Sequence, residues 1–265
     1  MNLLFRELKF YRKGLIFWSV GLIALIASGM AKYATMQNTG QSMTDLIAMF
    51  PQSIQAIFGL SGFDLSKASG YYGVLFQYIA LMVTVHAVLI GVNVISKEER
   101  DRTSEFLFVK PISRFRILTS KIVAGMFNLI VINVVTFITS VGLVNYYAKG
   151  DSFVGDIAIL MVGLFILQLI FFFVGTAVAA IHKNAKTAAP IATSFLLVTF
   201  ILSFLINVNN KIDVLKYITP FKYFDSHNLM SGGGFDVVFV TISLGIILLC
   251  IIATYFVFSR RDLRV

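Results

Sequence analysis

The sequence is poor in the residues that build most metal sites and soluble active sites. It contains one cysteine, three histidines and 13 acidic residues in 265 positions. The single cysteine, Cys250, excludes an intrachain disulfide and a cysteine-ligated metal site. Charged residues make up 13% of the chain, whereas a soluble domain has about 25%. A chain of this composition cannot bury its apolar side chains in the core of a water-soluble protein.

Apolar residues are abundant and lie in long runs. They make up 58% of the chain, and the mean hydropathy is +0.86. None of the long runs has Asp, Glu, Lys or Arg in its central part, where one such residue would cost about 2.5–3.5 kcal/mol. We therefore predict an all-α polytopic membrane protein with one domain over 1–265 and six transmembrane helices. The six spans lie at about 15–34, 71–95, 117–145, 156–181, 188–207 and 236–258.

The basic residues predict the orientation of the chain. Of the 22 Lys and Arg residues, 16 lie in segments on the same side as both termini, and the side with more basic residues is normally cytosolic. We expect a plasma membrane protein with cytosolic termini. Because the net charge of +9 is placed at the ends of apolar spans, it indicates contact with anionic membrane lipids rather than with nucleic acid.

Residues 1–14 carry an amphipathic helical pattern. Apolar side chains recur on one face and basic side chains on another, which predicts an N-terminal interfacial helix before the first span. An ordinary basic tail is the alternative. The two faces are Leu4, Leu8 and Tyr11, and Arg6, Lys9 and Lys13.

Two external segments, 35–70 and 208–235, are too apolar for free loops and too interrupted for full spans. We expect short re-entrant or capping helices in both.

The segment 96–121, SKEERDRTSEFLFVKPISRFRILTSK, gathers seven basic and four acidic residues. Ser96 and Glu99 match a helix capping box, although the same charges also fit the solvated end of the second span. Pro111 disfavours helix at the residue before it. The pattern predicts a span, a short cytosolic helix, a break and the next span. Apolar side chains at 106–109 beside acidic ones are typical of a protein-binding surface.

These residues carry a family resemblance. The stretch from Glu99 to Lys121, with TSEFLFVKPISR at 103–114, resembles the segment between the second and third spans of type-2 permease subunits of ATP-binding-cassette transporters. FP at 50–51 with FG at 58–59, and PFKYFD at 220–225, resemble two external segments of the same family.

The resemblance implies that roughly 102–113 is a coupling helix that docks in a cleft of a separate ATP-binding subunit. It also implies two ATPase subunits and a dimeric membrane part, made with a second copy or a related permease. ATP and magnesium would then belong to the partner, and this chain would hold no cofactor. The predicted ATPase contacts are Glu99, Arg102, Thr103, Glu105, Phe106, Leu107, Pro111 and Arg114.

Polar residues inside the spans are the candidates for pathway or bundle contacts. His86 is either a substrate or proton contact or a neutral imidazole hydrogen-bonded in the bundle. Asn128 and Gln168, with Asn93 and Asn133, fit helix–helix contacts better than substrate ligands. The run FFF at 171–173 either lines a path for an apolar cargo or packs between helices.

The sequence has no phosphate-binding loop of the type GxxxxGK[ST] and no constellation of an intramembrane hydrolase. We expect no catalytic or metal-binding residue, and ATP hydrolysis in another chain. The expected function is export of an amphipathic or apolar cargo. As the cargo, the resemblance implies an antimicrobial or toxin peptide of the phenol-soluble-modulin type, a lipid or a drug. The alternatives are a proton-coupled secondary transporter and a non-transporting immunity or sensor subunit.

Overall fold

The structure is a computed structural model. It describes residues 3–38, 49–51, 54–55, 60, 63–100, 113–148, 153–182, 184–208 and 210–260. These residues form helices joined by turns, and no strand occurs among them. The helices are α1 (Leu3–Asn38), α2 (Ala68–Arg100), α3 (Arg114–Ala148), α4 (Val154–Ile181), α5 (Ala185–Val208), a 3₁₀ helix (Asn210–Ile218), α6 (Pro220–Tyr223), α7 (Ser226–Met230) and α8 (Val237–Arg260).

Six helices within the described residues are long and apolar enough to cross a membrane: α1 to α5 and α8. The six-span, all-helical prediction is confirmed. Each helix extends a few residues beyond its predicted span, most of all α1, which begins at Leu3. An apolar run marks only the length of a helix that lies inside the bilayer. The helical hydrogen bonds of the backbone continue into the polar residues on either side.

The first three spans are much longer than a bilayer requires. They have 36, 33 and 35 residues. At about 1.5 Å per residue they reach roughly 50 Å, against an apolar bilayer core of about 30 Å. The start of α1, the end of α2 and the start of α3 lie together, because Lys97 binds Glu7 and Lys121 binds Glu98. We call this the N-terminal end of the bundle.

Helices α2 and α4 form the centre of the bundle and pack through glycine. A Cβ atom added to Gly91 would lie 2.1 Å from the Phe172 carbonyl oxygen, and one added to Gly175 would lie 2.5 Å from that of Val88. Small residues let two membrane helices bring their backbones together. By contrast, α5 and α8 keep large exposed apolar faces, which are available to lipid or to another subunit.

The opposite end of the bundle is covered by the short helices after α5. Ser226 Oγ donates to the Gly73 carbonyl oxygen at 2.9 Å, and the rings of Tyr223 and Phe239 stack at 5.0 Å. The Asp225 carboxylate accepts hydrogen bonds from the backbone amides of His227 and Asn228, the second and third residues of α7, as an N-cap does. The described part of 208–235 therefore forms capping helices, as expected. Most of 35–62 lies outside the described residues.

The N-terminal segment differs from its prediction. Residues 3–14 continue into the first span as one unbroken helix, α1, and do not form a separate interfacial helix. Their apolar stripe of Leu4, Leu8 and Tyr11 packs against the core of the protein. Protein contacts thus cover much of this face, since Tyr11 is buried and Leu4 and Leu8 are partly buried against the core.

The structure also decides between the two interpretations of Ser96. Helix α2 runs through Ser96 to Arg100, so Ser96 is inside a helix and does not cap a new one. The charges at 97–100 belong to the end of the second span, as the other alternative held, but Glu98 is buried rather than solvated.

We predict that Gly91→Ala destabilises the bundle. The new methyl group would overlap the Phe172 carbonyl, a rigid backbone atom, and overpacking of this kind costs about 1–3 kcal/mol. Thermal unfolding in detergent, followed by size-exclusion chromatography of heated samples, should show a lower midpoint. Gly142→Ala is the matched control, because no described atom lies within 4 Å of its added Cβ. Equal midpoints for the two variants would contradict the close approach of α2 and α4.

Candidate functional site

The residues predicted to contact an ATPase lie where α2 leads into α3, and only two of them are in the described part of the chain. Glu99 is half-buried in the last turn of α2, and Arg114 is exposed at the start of α3. Arg114 Nη1 donates to the Ser259 carbonyl oxygen at 3.4 Å, next to the end of α8. The other six, Arg102, Thr103, Glu105, Phe106, Leu107 and Pro111, lie outside the described residues.

A buried ion pair joins the end of α2 to the start of α3. The Lys121 ammonium binds the Glu98 carboxylate and donates to the Val94 carbonyl oxygen at 2.9 Å. Both residues are buried. One side chain of α3 thereby holds a carboxylate and a backbone carbonyl of the last two turns of α2, so these helices cannot slide past each other without breaking the pair.

A second ion pair joins α1 to α2. Glu7, which is 0% exposed, accepts from Lys97 Nζ at 3.2 Å and from Arg6 at 3.3 Å. The Lys97 ammonium also lies 3.4 Å from the centre of the Phe10 ring, a cation–π contact. Since Lys97 and Glu98 are neighbours, the two ion pairs connect α1, α2 and α3. We call Glu7, Lys97, Glu98 and Lys121 the ionic cluster.

Three polar atoms of the ionic cluster and of the nearby residues Tyr11 and Ser96 are not satisfied by any described residue. Tyr11 Oη, Ser96 Oγ and Glu98 Oε1 are buried and have no hydrogen-bond partner among the described residues. A buried polar atom without a partner costs about 1–3 kcal/mol. These unpaired atoms offset part of the stability that the two ion pairs provide, so the ion pairs are weak evidence for a purely stabilising role.

Inside the predicted spans, most of the polar side chains hydrogen-bond to neutral groups. Asn133 Nδ2 donates to Gln168 Oε1 at 3.2 Å and to the Met161 carbonyl oxygen at 3.1 Å, which joins α3 to α4. Asn128 Nδ2 instead donates to the Ala124 carbonyl oxygen of its own helix, at 2.8 Å. Asn93 accepts a hydrogen bond from Arg100, also in its own helix. The expected helix–helix contacts therefore occur for Asn133 and Gln168.

His86 lies in the core against Trp18, with the ring centres 5.3 Å apart. Neither ring nitrogen has a hydrogen-bond partner among the described residues. The imidazole thus lies in the bundle, as one interpretation held, but without the hydrogen bond that this interpretation assumed.

Phenylalanine rings surround a crevice at the end of the bundle covered by the capping helices. Lys222 lies at this crevice and binds Asn207 at 2.7 Å and Asp225 at 3.2 Å. The residues at 171–173 are buried and pack between helices, and only Phe171 reaches a ring of the crevice, that of Phe221, at 5.2 Å. The aromatic lining consists of Phe76, Phe200, Phe204, Phe221 and Phe224.

Sequence reasoning did not find the ionic cluster. The sequence pattern assigns Glu98 and Lys121 to the charged segment 96–121, and a single sequence does not indicate that they pair across two helices. Two signals pointed towards it: Glu7 is the only acidic residue of the first 44, and Lys121 lies among apolar residues. Among the described residues, no group of three His, Cys, Asp or Glu side chains fits a metal ion.

Comparison with known proteins adds one finding. A sequence model described as ABC-2 family transporter protein matches residues 1–263, nearly the whole chain. No curated protein matches the sequence.

We predict that Lys121→Met lowers thermal stability strongly. It leaves Glu98 charged and buried without its partner, which costs about 3–5 kcal/mol. The double variant Glu98→Gln/Lys121→Met should regain most of the loss, because it removes both charges. Thermal unfolding in detergent measures both effects. Lys216→Met is the control, since it breaks a more exposed pair with Asp213 and should cost less than about 1 kcal/mol. Equal losses for Lys121→Met and Lys216→Met would refute the buried pairing.

We also predict that His86→Leu keeps or raises thermal stability, because it removes a buried imidazole that has no partner in the described residues, a burden of about 1–3 kcal/mol. Gln168→Leu is the matched comparison and should lower stability, since it takes away one of the two acceptors of Asn133 Nδ2 and the side-chain hydrogen bond between α3 and α4. A lower midpoint for His86→Leu than for Gln168→Leu would reveal a hydrogen bond or bound water at His86.

Proposed function

Since the chain belongs to the ABC-2 family of transporter proteins, we propose that it is the membrane-spanning subunit of an ATP-driven exporter. In this proposal it forms the path for the cargo and couples to a separate ATP-binding subunit. The chain is a multi-pass membrane protein with six apolar helices, and the family is one of membrane subunits. The cargo, the number of ATPase copies and the second permease are part of the proposal.

The observation that carries the proposal is the position of the ionic cluster. It lies at the N-terminal end of the bundle, where α2 leads into residues 101–112 and these lead into α3. In the proposal this end is cytosolic, and residues 101–112 with Glu99 and Arg114 contact the ATPase. A push on the segment would reach α2 and α3 directly and α1 through Lys97 and Glu7.

The ionic cluster supports a switch between two arrangements of the bundle. Two ion pairs tie three helix ends together, so these ends move as one unit while the pairs hold. ATP binding in the partner would favour one arrangement, and the population would shift between inward-open and outward-open states. The exposed apolar faces of α5 and α8 leave room for the second permease.

The interior supports an apolar or amphipathic cargo. Ion pairs occur at the ends of the described spans and not in their middle, and phenylalanine lines the crevice at the far end. A peptide with one apolar face, a lipid or an apolar drug fits such a surface. A toxin peptide of the phenol-soluble-modulin type is one such cargo.

We expect an ATP-binding subunit to co-purify with the chain from its native membrane in mild detergent. The double change Glu105→Ala/Phe106→Ala should abolish co-purification, because it removes an acidic and an aromatic contact of the predicted docking segment. Asp213→Ala/Val214→Ala is the control: it removes an adjacent acidic and apolar pair at the other end of the bundle and should leave the complex intact.

Two outcomes would count against the proposal. If no ATPase accompanies the native chain, a sensor or immunity subunit, or a proton-coupled transporter, becomes the better explanation. If the ATPase also accompanies the Glu105→Ala/Phe106→Ala variant at the native level, the docking surface lies elsewhere.

A further inference from the structure

A groove runs between the first turns of α1 and the side of α3. Its walls include two cations, Lys9 and Arg12, and the apolar side chains of Phe5, Leu8 and Phe127, with Asn128 beside them. We propose that this groove binds one anionic phospholipid whose headgroup also carries a hydroxyl group, as phosphatidylglycerol does. The inference goes beyond the proposed function, because it depends neither on the cargo nor on the ATPase.

The two cations of the groove are free to bind an anion. Lys9 and Arg12 are three residues apart and so lie on the same face of α1. Neither has an ion-pair partner among the described residues. The nearest acidic residue along the chain, Glu7, is buried and already bound to Lys97 and Arg6. A phosphate diester in the groove would therefore meet two positive charges that no described carboxylate neutralises.

The apolar walls fit the acyl chains of the same molecule. Phe5 is 66% exposed and Phe127 is 50% exposed, so large aromatic faces lie beside the two cations. The cations come just before residue 15, where the apolar part of the first span begins, which is the level of the lipid headgroups. A soluble anion would use only the charges, whereas a phospholipid uses both the charges and the rings.

Asn128 supplies a second, independent observation. It lines the groove and is only 2% exposed. Its amide nitrogen is used by the Ala124 carbonyl oxygen at 2.8 Å, but its Oδ1 has no partner among the described residues. A buried acceptor without a donor is costly, and a headgroup hydroxyl would satisfy it. Choline offers no such donor, so the groove should select for headgroup as well as for charge.

Native mass spectrometry of the full chain released from lipid nanodiscs tests this proposal. The nanodiscs contain equal amounts of phosphatidylglycerol and phosphatidylcholine with the same acyl chains. We expect one phosphatidylglycerol retained per chain in clear preference to phosphatidylcholine. The variant Lys9→Gln/Arg12→Gln should lower this preference about tenfold or more, since it removes both charges. Lys13→Gln/Lys32→Gln, which removes two exposed charges of α1 outside the groove, should leave the preference unchanged.

The role of Asn128 has its own test. Phosphatidylethanol carries the same phosphate diester but no headgroup hydroxyl, so the native chain should retain it several-fold less than phosphatidylglycerol. Asn128→Leu should abolish this difference while both anionic lipids stay preferred over phosphatidylcholine. This variant keeps both cations, so it also gives a result if the double charge variant fails to fold.

Three results would overturn the proposal. The first is equal retention of phosphatidylglycerol by the native chain and the Lys9→Gln/Arg12→Gln variant. The second is loss of the bound lipid when excess inorganic phosphate is added, which would make the groove a site for free phosphate. The third is efficient disulfide crosslinking between two copies through Phe5→Cys or Phe127→Cys, which would show that a second copy covers the groove. All three readouts are independent of the ATPase, so the proposed function stands or fails separately.

Discussion

The ion pair between Glu98 and Lys121 is the contact on which the N-terminal end of the bundle depends. Removing a carboxylate or an ammonium from water costs several kcal/mol, and only a well-placed partner offsets this cost. Because both residues are buried, α3 must stay in one register with α2. The neighbouring pair of Lys97 with Glu7 applies the same constraint to α1. Three long helices thus share one fixed point at the N-terminal end of the bundle.

The middle of the bundle is held in a different way. Helices α2 and α4 meet backbone to backbone at Gly91 and Gly175, and neutral contacts such as Asn133 with Gln168 join α3 to α4. Such contacts gain dispersion energy in a medium where the hydrophobic effect does not drive helices together. Around this centre, α5 and α8 expose apolar faces. The protein therefore combines a tight centre with a periphery that lipid or another subunit can cover.

Much of the fold was predictable because bilayer thickness and apolar run length are linked. Six runs gave six helices, and the broken segment 208–235 gave capping helices. The continuity of α1 was not predictable, since an amphipathic stripe has the same sequence pattern whether lipid or protein covers it. The burial of Glu7 and Tyr11 shows that protein covers this part of α1. The ionic cluster escaped prediction for a similar reason. Pairing of Glu98 with Lys121 depends on how α2 and α3 cross, and the local sequence pattern does not give this crossing geometry.

Unsatisfied polar atoms in and near the ionic cluster bear on the proposed switch between two arrangements. A network with every donor and acceptor paired would lock the helices, and a purely apolar contact would let them slide. Here Tyr11 Oη, Ser96 Oγ and Glu98 Oε1 lack partners among the described residues, each at about 1–3 kcal/mol. A second arrangement that pairs some of these atoms at the expense of an existing bond would then differ from the first by only a few kcal/mol. This is the range over which the differential affinity of a ligand shifts a two-state equilibrium. In the proposed exporter, an incompletely satisfied cluster where α2 ends and α3 begins would therefore be suited to transmit a change in residues 101–112 to three spans.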